Sequence, residues 1–358
     1  MTKRRPSARF WFYLAYPLVC GYVFVYPLMR LYNWLMPGVE RDMGFGFAFA
    51  VWLVSVVGLW YSFSGPKMLV RYIIVHWMGV SFVFSTVTLL SEIPRQLFDL
   101  NDRSWAIGVI GLGLGMIILA NIFSHYLSVR HHGIPSSKVS RAYRIAQISD
   151  VHIGSRQGGY MRRIVNKLNE LEADFVVITG DLIDSSAVEL EALESLRELN
   201  ASTYFCIGNH ERYADLDKIL DILEQLGVMT LRQQRVECGE LSFVGIDDAD
   251  HRDHIATHLP DIPLNPNTYQ VLLYHRPAGW RFAREHKIDL MLSGHTHNGQ
   301  IFPFNFLVKQ QFSRICGLFI EGDHRLYVSS GTGTWGPLMR LGSLNEISVF
   351  NLYPDEAR

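Results

Sequence analysis

Apolar and aromatic residues dominate the chain up to about Ser128, and beyond it short apolar runs alternate with helical periodicities. Crossing the hydrocarbon core of a bilayer takes about 20 mostly apolar residues in a helix. Four stretches meet that need, residues 10–28, 43–63, 68–90 and 105–127. They predict an all-α transmembrane bundle of about four helices over residues 1–128. The second is free of charge from Phe45 to Trp60, and the first carries Pro17 and ends near Pro27, which predicts a kink. Trp11, Tyr13, Trp60, Tyr61, Trp105 and Tyr126 stand at span ends, where interfacial aromatic belts form.

The later pattern is different. Residues 129–142, with Gly133, Pro135 and paired serines, read as a linker. From Tyr143 to the last residue, 358, strand-like runs alternate with amphipathic helices, the signature of an α/β fold. The expected strands are Ile145–Ser149, Phe175–Thr179, Thr203–Ile207, Leu241–Ile246, Tyr269–Tyr274, Ile288–Leu292, Arg325–Ser329 and Glu346–Leu352. Helical spacing predicts helices over Tyr160–Glu172, Val188–Leu199 and Leu216–Leu226.

Charge orients the first part. Lys3, Arg4, Arg5, Arg9, Lys67, Arg71, Arg130, Lys138, Arg141 and Arg144 flank one side of the spans, against Arg30, Arg41, Arg95 and Arg103 on the other. The positive-inside rule then puts both the N-terminus and the α/β domain in the cytoplasm of a multi-pass protein, in a bacterium at the inner membrane. No span holds the carboxylate cluster of an ion pathway, so the bundle reads as an anchor rather than a transporter. A net charge of −1 offers no basic stripe, hence no specific nucleic-acid signal. The four cysteines show no C-x-x-C spacing and suggest neither a disulfide framework nor a thiolate zinc site.

Candidate chemistry collects where the strands end. The first domain strand stops at Asp150-Val151-His152, the next at Gly180-Asp181-Leu182-Ile183-Asp184, and the third at Gly208-Asn209-His210-Glu211. Later ones stop at His275 and at Gly294-His295-Thr296-His297. Ligands of α/β sheets gather beyond the carboxyl ends of the strands. A mixture of carboxylate, amide oxygen and imidazole there suits two divalent first-row metals. Two histidines one residue apart at a strand's end would share a face, able to serve one metal or two adjacent ones. His251, His254 and His258 lie between these blocks, at a spacing that suits a solvated helix face.

This ordered set, D-x-H, G-D-x-x-D, G-N-H-E, a lone His and G-H-x-H, resembles the calcineurin-like metallophosphoesterases over Tyr143 to Gln300. The tail Gly331-Thr332-Gly333-Thr334-Trp335-Gly336-Pro337, with Arg340 and Gly342, is similar to the bacterial YkuE/YaeI-like phosphodiesterase subgroup. The resemblance implies a four-layer α/β/β/α sandwich and two divalent ions, manganese first, with iron or zinc as alternatives. It implies that Asp150, His152, Asp181 and His297 hold one metal, and that Asp181 bridges to a second held by Asn209, His275 and His295. His210 would act on the leaving oxygen with Asp184 as its orienting partner. Arg340 is the candidate substrate-binding residue, its planar fork able to touch a phosphate, with a surface arginine that supports the glycine loop as the alternative. Asn298 stands where the subgroup usually has glycine, a departure that bears on the loop and not on the ligands.

The implied reaction is hydrolysis of a phosphoester substrate. Monoester, diester and pyrophosphate bonds all suit such a centre, and the membrane part favours a lipid or lipid-linked diester or pyrophosphate. A nuclease, a cyclic-nucleotide phosphodiesterase, or a membrane receptor or scaffold with a silent domain are the alternatives.

Overall fold

A computed structural model describes residues 15–38, 42–62, 68–98, 101–156, 158–251 and 253–355. It divides into two compact units. One contains the described residues up to Ile122 together with Gly336–Met339, and the other contains Phe123–Trp335 and Arg340 onward.

The first unit is helical. Three of its helices, over Gly44–Ser62, Leu69–Leu97 and Asp102–His125, are long and apolar enough to cross a membrane. The expected first span begins outside the described residues. From residue 15 it is helical to Leu35, with a π turn at Gly21–Val25. Pro27 explains the turn, because its missing N–H leaves carbonyls one turn earlier without a donor. Ser85 supplies the replacement, donating its Oγ–H to Val23 O at 2.8 Å and Tyr22 O at 2.9 Å. The third span was expected to end at Leu90, yet the helix runs through Glu92 to Leu97. Glu92 is tolerated there because Arg30 meets it through two N–H···O bonds, the longer at 2.7 Å.

The second unit is built on two six-stranded sheets. In chain order the strands are β1 (Leu127–Ser136), β2 (Tyr143–Ile148), β3 (Phe175–Thr179), β4 (Ser202–Cys206), β5 (Val228–Thr230) and β6 (Gln234–Cys238). They continue with β7 (Leu241–Gly245), β8 (Tyr269–Leu273), β9 (Leu290–Ser293), β10 (Gly317–Glu321), β11 (His324–Val328) and β12 (Asn345–Pro354). The first sheet runs β1-β12-β2-β3-β4-β5 and the second β10-β11-β9-β8-β7-β6. Strands β2 to β5 are mutually parallel, as are β7, β8, β9 and β11.

Alternation along these strands sorts the core into layers. Ile145, Val177, Tyr204, Phe243, Val271, Leu290, Tyr327 and Phe350 fill the space between the sheets. Their neighbours Ala146, Val176, Ile178 and Phe205 turn outward against Met161, Ile164, Val165 and Leu168, which line one face of the helix Gly158–Glu170. On the far side Leu272, Met291 and Leu326 pack against Trp280 and Ala283 of the helix Trp280–Glu285. Both faces of both sheets are therefore covered, which is why the central strands read as continuous apolar runs. The architecture is the expected four-layer sandwich.

Two local readings need correction. The segment 129–142 is no simple linker, because Leu127–Ser136 forms β1, in parallel register with β12 from Leu127↔Asn345 to Ser136↔Pro354. Arg130, Gly133 and Pro135 disguise it in sequence, and all are acceptable on an edge strand. The expected helix Val188–Leu199 consists of two 3₁₀ turns, Leu190–Ala192 and Glu194–Glu198. Leu190, Leu193, Leu196 and Leu199 recur strictly every third residue and all pack on the core, which is the 3₁₀ repeat rather than the α one.

Candidate metal centre

The loops that follow β2, β3, β4, β8, β9 and β11 converge at one end of the sandwich and are laced together by main-chain bonds. Asp150 N donates to Gly180 O at 3.0 Å, His152 N to Asp181 O at 3.1 Å, and Gly333 N to Asp150 O at 3.0 Å. Asp150, His152, Asp181, His295 and His297 all have positive φ, between 49° and 71°. A left-handed conformation costs a non-glycine residue on the order of 1 kcal/mol or more and persists only where surrounding contacts impose it. Five such residues in one place mark a cradle whose side-chain directions outweigh local backbone preference.

Among the described residues three groupings of metal-ligand type result, two of them made of the expected metal ligands alone. Asp150, His152 and His297 form one, and Asp181, His275 and His295 the other, each with its ligand atoms within 4.8 Å of one another. In the first, His152 Nε2 faces His297 Nε2 at 3.1 Å, and Asp150 Oδ1 lies 3.4 Å from the latter. In the second, His275 Nε2 is 3.1 Å from Asp181 Oδ2 and 3.2 Å from His295 Nδ1. The sequence placed the two histidines of the G-H-x-H block on the end of a strand. They lie beyond it, because β9 stops at Ser293 and left-handed turns at both residues send the two rings to different clusters.

Close packing explains the glycines. A Cβ on Gly208 would come within 2.2 Å of Asp181 Oδ1, and one on Gly294 within 2.2 Å of Asp150 Oδ2. The supporting bonds are equally specific. His275 Nδ1 lies 2.8 Å from Thr179 O, which fixes the ring so that Nε2 points inward. His295 N donates to both oxygens of Asp150, and His210 N donates to Asp181 Oδ1 at 2.9 Å.

Burial and mutual contact set the ionisation of these groups. Burial pushes the Asp150 carboxyl up to about 7. Burial opposes ionisation of Asp181 too, but His275 beside it holds that carboxyl well below the usual range. His275 is raised to about 10; burial works against its charge, and the adjoining Asp181 carboxylate outweighs it. Burial lowers His152, His295 and His297, leaving them neutral and able to donate a lone pair. Asn209 Oδ1 is buried and accepts no hydrogen bond within the protein. A buried amide oxygen with no donor, lone pairs converging at near-contact distance and two enclosed carboxylates together fit a pair of divalent cations.

The remaining expected residues fall as follows. His210 is partly exposed, with Nε2 4.0 Å from Asp181 Oδ2 and its ring beside that of His152. Asp184 accepts from Ser155 N at 3.0 Å and from Ser155 Oγ, lies 3.8 Å from His152 Nδ1, and comes within 4.8 Å of a ring nitrogen of His210. Arg340 is 0% exposed and presents no surface to a substrate. Its guanidinium donates to Asn345 Oδ1, Ser343 Oγ and the carbonyls of His297, Ser330, Gly331 and Gly333. It bonds to the loop as the second of its two expected roles has it, but from the interior and not from the surface.

Glu211 had no role in the sequence reading. Fully buried, it accepts from Asp181 N at 3.0 Å, Gly208 N at 2.8 Å and Ile183 N at 3.0 Å, and so ties two ligand loops together. The legible signal was its place three residues after Gly208, at the start of the short helix Asn209–Tyr213, where a glutamate can bond back to the N-cap. Glu211→Gln turns an amide NH₂ toward backbone N–H donors. We expect it to lower stability by about 2 kcal/mol in thermal unfolding and to reduce bound metal. Unchanged stability and metal content would remove the positioning role.

Comparison with known proteins gives the family. The Calcineurin-like phosphoesterase family matches residues 143–299. An uncharacterized metallophosphoesterase of Campylobacter jejuni is 35% identical over 230 residues, 61% of this chain and 61% of that protein. A Danio rerio transmembrane protein with metallophosphoesterase domain is 36% identical over 227 residues, covering 57% of this chain and 52% of the relative. The chain thus spans only about three fifths or less of the length of these relatives. An uncharacterized metallophosphoesterase of Aquifex aeolicus, 32% identical over 254 residues, is covered over 97% of its length. The chain belongs to the calcineurin-like metallophosphoesterases.

Proposed function

We propose that this protein is a membrane-anchored, dinuclear metal-dependent phosphoesterase that cuts a phosphodiester or pyrophosphate bond in a lipid or lipid-linked substrate. It fits the YkuE/YaeI-like subgroup and works at the cytoplasmic face of a bacterial inner membrane. The observation that carries this reading is the pair of adjoining clusters, Asp150/His152/His297 and Asp181/His275/His295, beside the unpartnered Asn209 Oδ1. Those seven residues would hold the two ions, with Asp181 shared between them; manganese suits the oxygen and imidazole mixture, as iron and zinc do. When bound, the cations supply Lewis acidity toward the phosphoryl oxygens and an acidified water.

The chain's own groups do the rest. His210 is held by its backbone N–H to Asp181 Oδ1, which stations Nε2 at the mouth of the site to pass a proton to the leaving oxygen. Asp184, within reach of His152 and His210, biases the orientation of these rings. Arg340 keeps the carbonyls of the 330–333 loop turned away from the incoming phosphate and so limits repulsion. The lipid assignment rests on the three apolar helices.

Membrane vesicles test anchoring, orientation and activity together. Inverted vesicles containing the protein should hydrolyse the impermeant bis-(4-nitrophenyl) phosphate in the presence of Mn²⁺, and right-side-out vesicles should not until they are permeabilised. Detergent-solubilised protein should also turn over a lipid diester or a lipid-linked pyrophosphate in mixed micelles. No turnover of any of these at full metal loading would defeat the enzymatic reading. Activity confined to right-side-out vesicles would reverse the orientation.

A further inference from the structure

The loop that carries His295 and His297 does not return directly to the sheet. It continues into a short helix, Asn305–Gln311, whose apolar residues turn away from the core. Phe302 is 39% exposed, Phe306 57% and Leu307 56%, although each is large and apolar. Phe302 and Phe306 meet edge to face with ring centroids 5.7 Å apart, so they form one patch rather than scattered side chains. The patch is fixed to the metal loop. A Cβ on Gly299 would come within 2.4 Å of the Asn305 backbone, and Phe312, just past the helix, packs edge-on against His295 at 5.2 Å. Apolar residues grouped in this way usually mark an interaction surface.

The topology of the same unit indicates what covers it. Strand β1 is parallel to β12, and β12 is antiparallel to β2. The start of β1 therefore lies at the end of β2, where Asp150 and His152 follow. The helix Asp102–His125, apolar enough to cross a membrane, ends one residue before the first pair of Leu127 with Asn345. Its last turn is tied to the metal end of the sandwich. Ser124 O accepts from Asn345 Nδ2 at 2.6 Å and from Arg156 Nη2, and His125 O accepts from Arg163 Nη1 at 2.7 Å. Arg156 sits in the loop of His152, and Asn345 Oδ1 is the acceptor of Arg340 Nε. Ser124 and His125, which belong to the same unit as the sandwich, are thus bound at the end that holds the candidate metal ligands, and only Tyr126 separates them from β1. The patch occupies that same end.

We infer that Phe302, Phe306 and Leu307 form an apolar lip immersed in the bilayer interface beside the metal centre. Lys309, exposed three residues after Phe306, can lay its stem along the lip and leave its ammonium among the headgroups. Amphipathic segments of this kind sit about 5–10 Å deep, at the headgroup–acyl boundary. A lip at that depth opens the site toward lipid phosphates without extracting the whole molecule. The immersion rests on the membrane anchoring in the reading above and is independent of which phosphoester is cut.

Fluorescence quenching in nanodiscs of phosphatidylcholine and phosphatidylglycerol tests it. The full chain carries Cys238→Ser and Cys316→Ser, leaving the buried Cys20 and Cys206, with bimane attached at Phe306→Cys or Leu307→Cys. Met229→Cys, 44% exposed on β5, is the aqueous control. Doxyl groups on the lipid acyl chains should quench both lip labels at least about twofold more than the control, and iodide should quench them correspondingly less. Iodide quenching equal to that at position 229 would overturn the proposal. Shielding from both quenchers would overturn it as well, by showing that a second copy or another protein covers the patch. Each labelled protein must keep Mn²⁺-dependent hydrolysis of bis-(4-nitrophenyl) phosphate, which establishes that it is folded. If the lips are quenched by lipid while no lipid is ever hydrolysed, the immersion stands and the substrate assignment falls.

Discussion

Asp181→Asn is expected to lower hydrolysis of bis-(4-nitrophenyl) phosphate by about 10³-fold or more, the loss that follows if this carboxylate is shared by two cations as proposed. The substitution preserves shape, so the effect is electrostatic. Asp181 Oδ2 lies 3.1 Å from His275 Nε2 and 4.0 Å from His210 Nε2, while Oδ1 accepts the His210 N–H. An amide can still accept that N–H bond, but it carries no charge to offer a second cation. Metal analysis of the purified variant should fall from two ions per chain to one or fewer, with the helical unit and the secondary structure intact. A variant that retains two ions and activity within tenfold of the parent would show that this carboxylate is not shared, and the dinuclear reading would fail with it.

How much of this was legible in sequence depends on where an element lies in the sheets. Every strand expected from an apolar run is central, and the four that were not expected, β1, β5, β6 and β10, are the four sheet edges. An edge strand has one free flank and tolerates the arginine, glycine and proline of β1 or the polar Gln234–Cys238 of β6. Its identity comes from the partner it pairs with, which no local pattern records. The ligand-type residues were legible for the opposite reason, since chemistry restricts them to a few residue types at strand ends. What could not be read was how they are held. Left-handed backbone at His295 and His297 separates two rings that strand alternation would have placed on one face. Arg340 shows the same limit, because an arginine in a glycine-rich tail looks alike in sequence whether it faces a phosphate or six internal acceptors.

Removing the metals should leave a protein whose stability falls as pH rises from 6.5 to 8.5, while the loaded protein stays nearly level over the same range. His275, ordinarily near 6.5, is raised to about 10 in the folded chain. Between those values the folded state keeps a proton that the unfolded state has released, so this contribution is complete below about 6.5 and declines as pH climbs toward 10. Asp150, raised to about 7 by burial, acts in the same direction, its contribution disappearing as pH rises through 7. The lowered histidines, His152 and His297, oppose this only below about 6.5, where the unfolded chain is still taking up protons. Each proton of difference changes stability by about 1.4 kcal/mol per pH unit. A cation held by His275, as proposed, would do the work of its proton and would bind more tightly as the imidazole deprotonates. Calorimetry in detergent, with chelator or with excess Mn²⁺, should therefore show a gap in Tm that widens from pH 6.5 to 8.5. A constant gap would mean that cations and protons do not compete for His275 and Asp150, which would place the metals elsewhere.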